Sequence, residues 1–87
     1  MDLATLKLFL QIAAAGSFSR AAVLASSTQS AVSKRISALE TELAARVFDR
    51  TGRGATLTDA GRLLVPHAEA LTLQADGLAD LDRKSVV

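Results

Sequence analysis

Four residues with hydrogen-bonding side chains, Gln29, Ser30, Ser33 and Lys34, recur at a spacing that puts them on one side of a helix. Glutamine can bond adenine through two atoms, lysine can reach the acceptors of guanine, and serine can bond either kind of group. No acid interrupts this face, where a carboxylate would repel phosphate. The pattern is typical of a helix that reads base edges in a DNA major groove. A solvated helix face is the alternative interpretation.

Two arginines, Arg50 and Arg53, lie in a segment (residues 47–57) whose pattern predicts a small β-hairpin. Gly52 and Gly54 flank Arg53, and glycine adopts the positive φ of a tight turn at little steric cost. A two-stranded wing beside the helix would offer both arginines to a phosphate backbone or a minor groove. For Arg53, an ordinary turn position is the alternative.

The other reactive side chains form no catalytic or metal-binding pattern. The chain has no cysteine, which excludes a disulfide framework, a zinc finger and a thiol nucleophile and fits a reducing cytoplasm. Its one histidine, His67, has no acidic cluster beside it. The serines show no triad pattern. We therefore expect neither an enzyme nor a cofactor or metal site.

Composition and charge favour a small helical domain. The 87 residues suffice for one domain, and an apolar content of 49% argues against disorder. Three Phe without Tyr or Trp offer few faces for stacking single-stranded bases. The net charge is only +1, but residues 1–57 carry +3 and residues 58–87 carry −2. The chain begins without a signal-peptide pattern, and no apolar run approaches the roughly 20 residues that span a bilayer, so we expect a cytoplasmic protein.

The elements that would position the polar groups follow from hydrophobic spacing. We predict helices over residues 2–15, 18–25 and 29–43, the hairpin over 47–57, and a last helix from Thr58 to about Asp82. The apolar positions assigned to the first three helices are Leu3, Leu6, Phe9, Leu10, Ala13, Phe18, Ala21, Ala22, Leu24, Val32, Ile36, Leu39 and Leu43. Gly16 should end the first helix in a left-handed conformation, and Ser17 should cap the second. The predicted fold is mainly α, a winged helix-turn-helix with three helices, a two-stranded wing and a long C-terminal linker helix.

The last helix shows a coiled-coil spacing. Its seam consists of Leu64, Ala68, Leu71, Ala75 and Leu78. A helix of about 37 Å at 1.5 Å per residue would project beyond so small a body, so we expect a second copy to cover the seam in a homodimer. Packing of the stripe on its own domain is the alternative. Pro66 lies inside this helix and should bend it.

Five fragments of the chain together carry a resemblance to a known family. They are Phe9…Gly16-Ser17-Phe18-Ser19-Arg20-Ala21-Ala22, Thr28-Gln29-Ser30-Ala31-Val32-Ser33-Lys34-Arg35-Ile36, Leu39-Glu40-x-Glu42-Leu43, Phe48-Asp49-Arg50-Thr51-Gly52-Arg53 and Leu57-Thr58-Asp59-Ala60-Gly61. In this order and at these spacings, over residues 2–82, the chain resembles the DNA-binding domain of LysR-type transcriptional regulators.

The resemblance implies a winged helix-turn-helix dimer that binds double-stranded DNA at a partly palindromic operator and regulates transcription. It divides the chain into a DNA-binding domain (residues 1–57) and a linker and dimerisation helix with its tail (residues 58–87), without the effector-binding domain of whole regulators. It implies base contacts for Gln29, Ser30, Ser33 and Lys34, and backbone or minor-groove contacts for Thr28, Arg35, Arg50, Arg53 and Thr58. Two alternatives stay open, a winged-helix domain of another regulator family and a helical protein-interaction module.

Four positions depart from the family's pattern. Ser30 stands where proline is frequent. Ala25 and Ser27 stand where larger apolar residues are usual, which should thin the core under the turn, with Leu24 compensating. Ala44 stands where glycine is usual. Because alanine in a left-handed conformation costs on the order of 1 kcal/mol, we expect the third helix to end differently here.

Overall fold

Hydrophobic spacing and capping residues place the elements of this chain almost where the sequence predicts them. The computed structural model describes residues 1–52 and 54–84, with side chains as far as residue 77. The elements are α1 (Leu3–Ala15), α2 (Phe18–Leu24), α3 (Gln29–Leu43), β1 (Phe48–Thr51), β2 (Gly54–Leu57) and α4 (Asp59–Lys84). The predicted winged helix-turn-helix order is confirmed, and each boundary agrees to within two residues.

Side-chain oxygens cap the N-termini of the first three helices. Asp2, Ser17 and Thr28 each accept a hydrogen bond from the backbone N–H three residues further on, which pairs a donor that the first helical turn leaves free. Gly16 ends α1 with φ 68°, the left-handed conformation predicted for it. The tight change of direction between α1 and α2 therefore follows from a glycine and a serine in sequence.

The end of α3 corrects one expectation. Ala44 does adopt the left-handed conformation, with φ 53° and ψ 35°, although it has a Cβ. The backbone N–H groups of Ala44 and Ala45 donate to the carbonyls of Thr41 and Glu40. These bonds pair carbonyls that the helix end would otherwise leave free, and this offsets the strain of the conformation.

The hydrophobic core lies where α1, α2 and α3 meet the wing. Three aromatic rings join these parts, since the Phe48 ring at the start of β1 lies 5.3 Å from that of Phe9 and 5.5 Å from that of Phe18. Val32, Ile36 and Leu39 of α3 are buried as predicted. The other buried apolar residues are Leu6, Leu8, Ile12, Ala21, Ala22, Val47, Ala55 and Ala68.

Two apolar positions assigned to the core are wrong. Leu24 is 65% exposed and Leu3 is 42% exposed. Leu24 lies two residues after the buried Ala22, and residues two apart point about 200° apart around a helix. The expectation that Leu24 fills the space under the turn is therefore wrong as well. The spacing also missed Leu8 and Ile12, which are buried because α1 contacts α2, α3, β2 and α4 and is covered over a wide arc.

The wing is hydrogen-bonded to the turn between α1 and α2. β1 and β2 pair antiparallel, with Phe48 opposite Leu57 and Thr51 opposite Gly54. The Ala55 N–H donates to the Gly16 carbonyl at 2.9 Å, and a Cβ on Gly54 would lie 2.3 Å from the same oxygen. The approach of β2 to the turn between α1 and α2 thus depends on glycine at position 54.

The long helix α4 packs across α1. It includes Pro66 without interruption, and its buried side includes Ala68 and Thr72. Lys7 of α1 pairs with Asp76 at 3.3 Å. Among the described residues, no helix is both long and apolar enough to cross a membrane.

Candidate nucleic-acid interface

The polar face of α3 is open to solvent at its N-terminal end. Gln29, Ser30 and Lys34 are exposed and Ser33 is half-buried. The first turn contains no acid. Thr28 caps the helix through a lone pair of its hydroxyl oxygen, so its O–H remains available as a donor. Hydroxyl, amide and ammonium groups therefore share one face that is free of carboxylates over its first turns.

Gln29 is held by the preceding helix. The Ser19 hydroxyl, in the first turn of α2, donates to Gln29 Oε1 at 3.0 Å. The first residue of the predicted recognition helix is thus tied to α2 across the turn. By contrast, Ser30 and Lys34 have no hydrogen-bond or ion-pair partner within the described part of the chain.

Arg50 ties the wing to both α2 and α3. Its guanidinium carbon lies 3.8 Å from the centre of the Phe18 ring, and its Nη1 donates to Ser33 Oγ at 3.0 Å. A planar guanidinium can stack on a ring and still direct N–H groups sideways. Arg50 therefore lies beside α3 rather than extending from the tip of the wing.

These side chains border a polar depression between α2, α3 and the wing. It measures about 410 Å³. Its lining residues are Ser17, Phe18, Ser19, Gln29, Arg50, Thr51, Gly52 and Gly54. Of the predicted contact residues, Gln29 and Arg50 line the depression, and Ser33 is joined to Arg50 by a hydrogen bond. Arg53, the other predicted wing residue, lies outside the described residues.

Two predicted backbone contacts lie elsewhere and are already engaged. Arg35 leaves α3 on the side of α1, with its Nη2 3.9 Å from Asp2 Oδ1. Hydrogen bonds from Thr5 lower the pKa of the Asp2 carboxyl, and the charge of Arg35 lowers it further. Part of the Arg35 charge is therefore compensated within the chain before any phosphate approaches.

Thr58 connects the start of α4 to the segment before β1 by hydrogen bonds. Its hydroxyl donates to the Arg46 carbonyl and accepts from the Gly61 N–H, and its own N–H donates to the Val47 carbonyl. Both donors of Thr58 are thus used inside the protein. The DNA-backbone contact predicted for Thr58 would require one of these bonds to open.

The predicted seam of α4 divides between two environments. Ala68 is fully buried in the chain's own core, so a single chain of this conformation exposes no surface of Ala68 to a partner. Leu64 and Ala75 are half-buried, whereas Leu71 is 46% exposed. The physical reason is the orientation of α4, which directs Ala68 inwards and leaves Leu71 about 60° around the helix. Leu78, the last seam position, lies outside the residues whose side chains are described.

The exposed apolar face of α4 is centred elsewhere. Leu63 is 72% exposed, and with His67 and Leu71 it lies along one side of the helix at four-residue spacing. A shallow groove of about 260 Å³ runs beside it. Its lining residues are Leu43, Ala45, Ala60, Leu63, Leu64 and His67. The spacing of the sequence found Leu71 but missed Leu63.

Sequence reasoning also missed the roles of Ser19 and Phe18. Both belong to the motif Ser17-Phe18-Ser19-Arg20, in which the first serine caps α2. Serine is favoured near helix N-termini for local reasons, so Ser19 carries no signal of a long-range contact in the sequence. Only the fold shows that Ser19 reaches Gln29 and that the face of Phe18 carries Arg50.

A short helix, a tight turn, a second helix with an open polar face and an attached hairpin define a winged helix-turn-helix DNA-binding domain. Residues 3–62 match the family described as "Bacterial regulatory helix-turn-helix protein, lysR family". The chain belongs to this family, which confirms the resemblance and excludes another regulator family.

Known proteins similar to the chain are regulators of this kind. An Azotobacter vinelandii protein described as an HTH-type transcriptional regulator in the ibpB-leuC intergenic region is 56% identical over 68 residues, which are 78% of this chain and 47% of that protein. The CbnR DNA-binding domain in complex with DNA superposes with a TM-score of 0.92 at 29% identity and covers 100% of both chains. The BenM DNA-binding domain with benA site 1 DNA gives 0.90 at 26% identity, over 97% of this chain and 94% of the other. The chain spans less than half the length of the curated relatives it matches.

Proposed function

We propose that this chain binds double-stranded DNA sequence-specifically, as the DNA-binding part of a LysR-type transcription regulator in the bacterial cytoplasm. The observation that carries the proposal is the carboxylate-free start of α3, with Gln29 and Ser33 beside an arginine that the wing holds in place. The similar CbnR and BenM domains are described in complex with DNA.

The parts of the site would have separate tasks in such a complex. The start of α3 would enter the major groove, where Gln29, Ser30, Ser33 and Lys34 can reach base edges. Arg50 beside this face and Thr28 at the helix cap have donors that would bind phosphates. For Arg53, which lies outside the described residues, the backbone or minor-groove contact stays a prediction from the sequence. The transcriptional target and any effector belong to the regulator as a whole.

A second copy of the chain completes the proposal. Leu63 and Leu71 expose more apolar surface on α4 than a solvated helix face requires. Pairing of two α4 helices through this face would cover it and set two recognition helices on one DNA duplex. A two-fold dimer requires a partly palindromic site, with half-sites about one helical turn, or a multiple, apart.

Selection from a random pool of duplexes, followed by binding titrations at several salt concentrations, tests the proposal. We expect enrichment of a partly palindromic sequence and a logarithmic salt slope of about −0.9 for each neutralised phosphate. Random DNA should bind at least about a thousandfold more weakly than the selected site. Failure to bind any duplex at low salt would favour the remaining alternative, a helical protein-interaction module.

A further inference from the structure

His67 lies in the middle of the exposed apolar face of α4. Leu63 precedes it by one helical turn and Leu71 follows it by one turn, and all three side chains are exposed. The imidazole makes no hydrogen bond or ion pair within the described part of the chain. It also borders the shallow groove beside Leu63. Any partner that covers both leucines must therefore cover His67 as well.

The side of α4 that carries His67 has no charge over the described turns next to it. The positions three, four and seven residues away share this side of the helix. They are Ala60, Leu63, Leu64, Ala70, Leu71 and Gln74. Arg62, Glu69 and Asp76 lie about 140–180° from His67 around the helix. Asp59 is about 12 Å away along the helix axis, and its carboxylate is paired with Arg62.

The end of α3 borders the same groove with apolar groups. Leu43 and Ala45 line it, whereas Glu42 and Arg46, their charged neighbours in sequence, do not. Glu42 pairs with the N-terminal amine instead. Among the described residues, no carboxylate is therefore placed to compensate the charge of a protonated His67.

We propose that two copies of this chain pair through the face of Leu63, His67 and Leu71 only when His67 is neutral, so that mild acid separates the dimer. This inference rests on the dimer of the proposed function. A two-fold interface brings the same surface of both copies together, and an uncharged face can pair with itself without repulsion. The covered imidazoles would then have apolar groups or each other as neighbours. A proton on either one would bury a charge without a partner, which is strongly unfavourable.

Proton linkage sets the size of the expected effect. Histidine ordinarily gains its proton around pH 6.5, and each chain has one histidine. Because the dimer would form only from chains with a neutral imidazole, acid must be overcome twice for each dimer, once in each copy. The dissociation constant of the dimer should then rise about 100-fold as the pH falls from 7.5 to 5.5. Aspartate and glutamate ordinarily titrate below this range.

Sedimentation equilibrium of the chain without DNA, at several pH values from about 7.5 to 5.5, measures this dissociation constant. His67→Gln keeps a polar side chain that does not titrate, so its dimer should be equally stable across the range. The double variant His67→Gln/Leu73→His is the matched control. Leu73 is 73% exposed and lies about 120° from His67 around the helix. A histidine there adds the same charge outside the face and should leave the dimer insensitive to pH. Circular dichroism should show the same helix content at both ends of the range.

The outcomes separate the inference from the proposed function. A wild-type dimer whose dissociation constant does not change with pH would overturn the inference and leave the proposed function intact. Acid dissociation that persists in His67→Gln would overturn it too, because another group would then be responsible. A wild-type chain that stays monomeric at pH 7.5, both alone and on full-site DNA, would overturn the dimer of the proposed function and the inference with it.

Discussion

The two exposed regions proposed to bind partners are built in opposite ways. Beside the wing, polar side chains are already bonded to one another, as Ser19 is to Gln29 and Arg50 is to Ser33. On α4, the apolar side chains of Leu63 and Leu71 are 72% and 46% exposed to solvent. A single chain can orient donors for an ordered ligand such as DNA, because exposed hydrogen bonds cost little to form. An apolar face can be removed from water only by contact with another surface. The second region is therefore expected to be covered when two copies of the chain pair.

The two regions meet at a joint where the backbone leaves no room for a side chain. A Cβ on Gly61, in the first turn of α4, would lie 2.2 Å from the Val47 carbonyl oxygen, which also accepts from the Thr58 N–H. Gly61→Ala should therefore push α4 away from the body of the domain and lower the free energy of unfolding by about 3 kcal/mol. This is the largest effect we expect from a single substitution, and it should disturb both regions at once.

Chemical denaturation measures the effect of Gly61→Ala, and Gly77→Ala is its matched control. Gly77 is also in α4, but an added Cβ there would contact nothing within 4 Å. Alanine at this position should stabilise the chain by about 0.5–1 kcal/mol, because it lowers the entropy that a helical glycine loses on folding. Equal effects of the two substitutions on the free energy of unfolding would show that a side chain can be accommodated at position 61.

Leu71→Asp should break the α4 region alone. In one chain Leu71 is 46% exposed, so aspartate there meets water and the fold should persist. In a dimer the charge would be buried without a partner, at a cost of several kcal/mol. We expect a monomer by analytical ultracentrifugation, with affinity for the full palindromic site reduced roughly 100-fold and affinity for a half-site nearly unchanged.

Leu73→Asp is the control for that face. Leu73 is 73% exposed and lies about 200° from Leu71 around the helix. The same charge at this position should leave the dimer and full-site binding intact. Dissociation by both variants to the same extent would mean that total charge on α4, not the Leu63–Leu71 face, governs assembly.

The sequence predicts these two regions unequally, for a physical reason. The elements are predicted well because caps, glycines and apolar spacing are local signals, as at Ser17, Gly16 and the buried Val32. The seam is predicted only in part, because a spacing of three and four shows which residues share a stripe but not how the helix is rotated against its neighbour. Ala68 and Leu71 belong to one stripe, yet only Leu71 is exposed.

The side-chain hydrogen bonds of the polar region could not be predicted from the sequence, for a similar reason. The residue types at positions 29, 33 and 50 indicate DNA contacts. The hydrogen bonds that hold them join Ser19 to Gln29, 10 positions apart, and Arg50 to Ser33, 17 positions apart, across three elements. Such bonds exist only after the elements have packed, so composition and spacing do not encode them directly.

Arg50→Lys and Arg50→Ala should show whether the contacts of Arg50 with Phe18 and Ser33 contribute to DNA affinity in addition to its charge. Alanine removes the stacking on Phe18, the bond to Ser33 and one positive charge. We expect it to reduce specific affinity by about 1–2 kcal/mol and the magnitude of the salt slope by about 1. Lysine keeps the charge but has no planar group that can stack and bond Ser33 together. It should restore the salt slope and non-specific binding, but not specific affinity. Titrations on selected and random duplexes measure both, and full recovery by lysine would reduce the role of Arg50 to its charge.

The smallest effect concerns the opposite edge of α3, where Arg35 faces Asp2. Hydrogen bonds from Thr5 and the nearby charge of Arg35 lower the pKa of Asp2 from its ordinary value of 3.8. Because the folded-state pKa is the lower one, the carboxylate stabilises the fold above pH 3.8, and this contribution is lost as the pH falls through the lowered pKa. Asp2→Asn keeps an oxygen that can accept from the Thr5 N–H but cannot titrate. The wild-type chain should therefore exceed the variant in stability by a small, constant margin near neutral pH. That margin should shrink steadily once the pH drops below 3.8, as measured by denaturation of both chains across the acid range. A margin that does not change with pH would show that Asp2 acts only as a neutral cap, and that Arg35 is free to meet a phosphate with its whole charge.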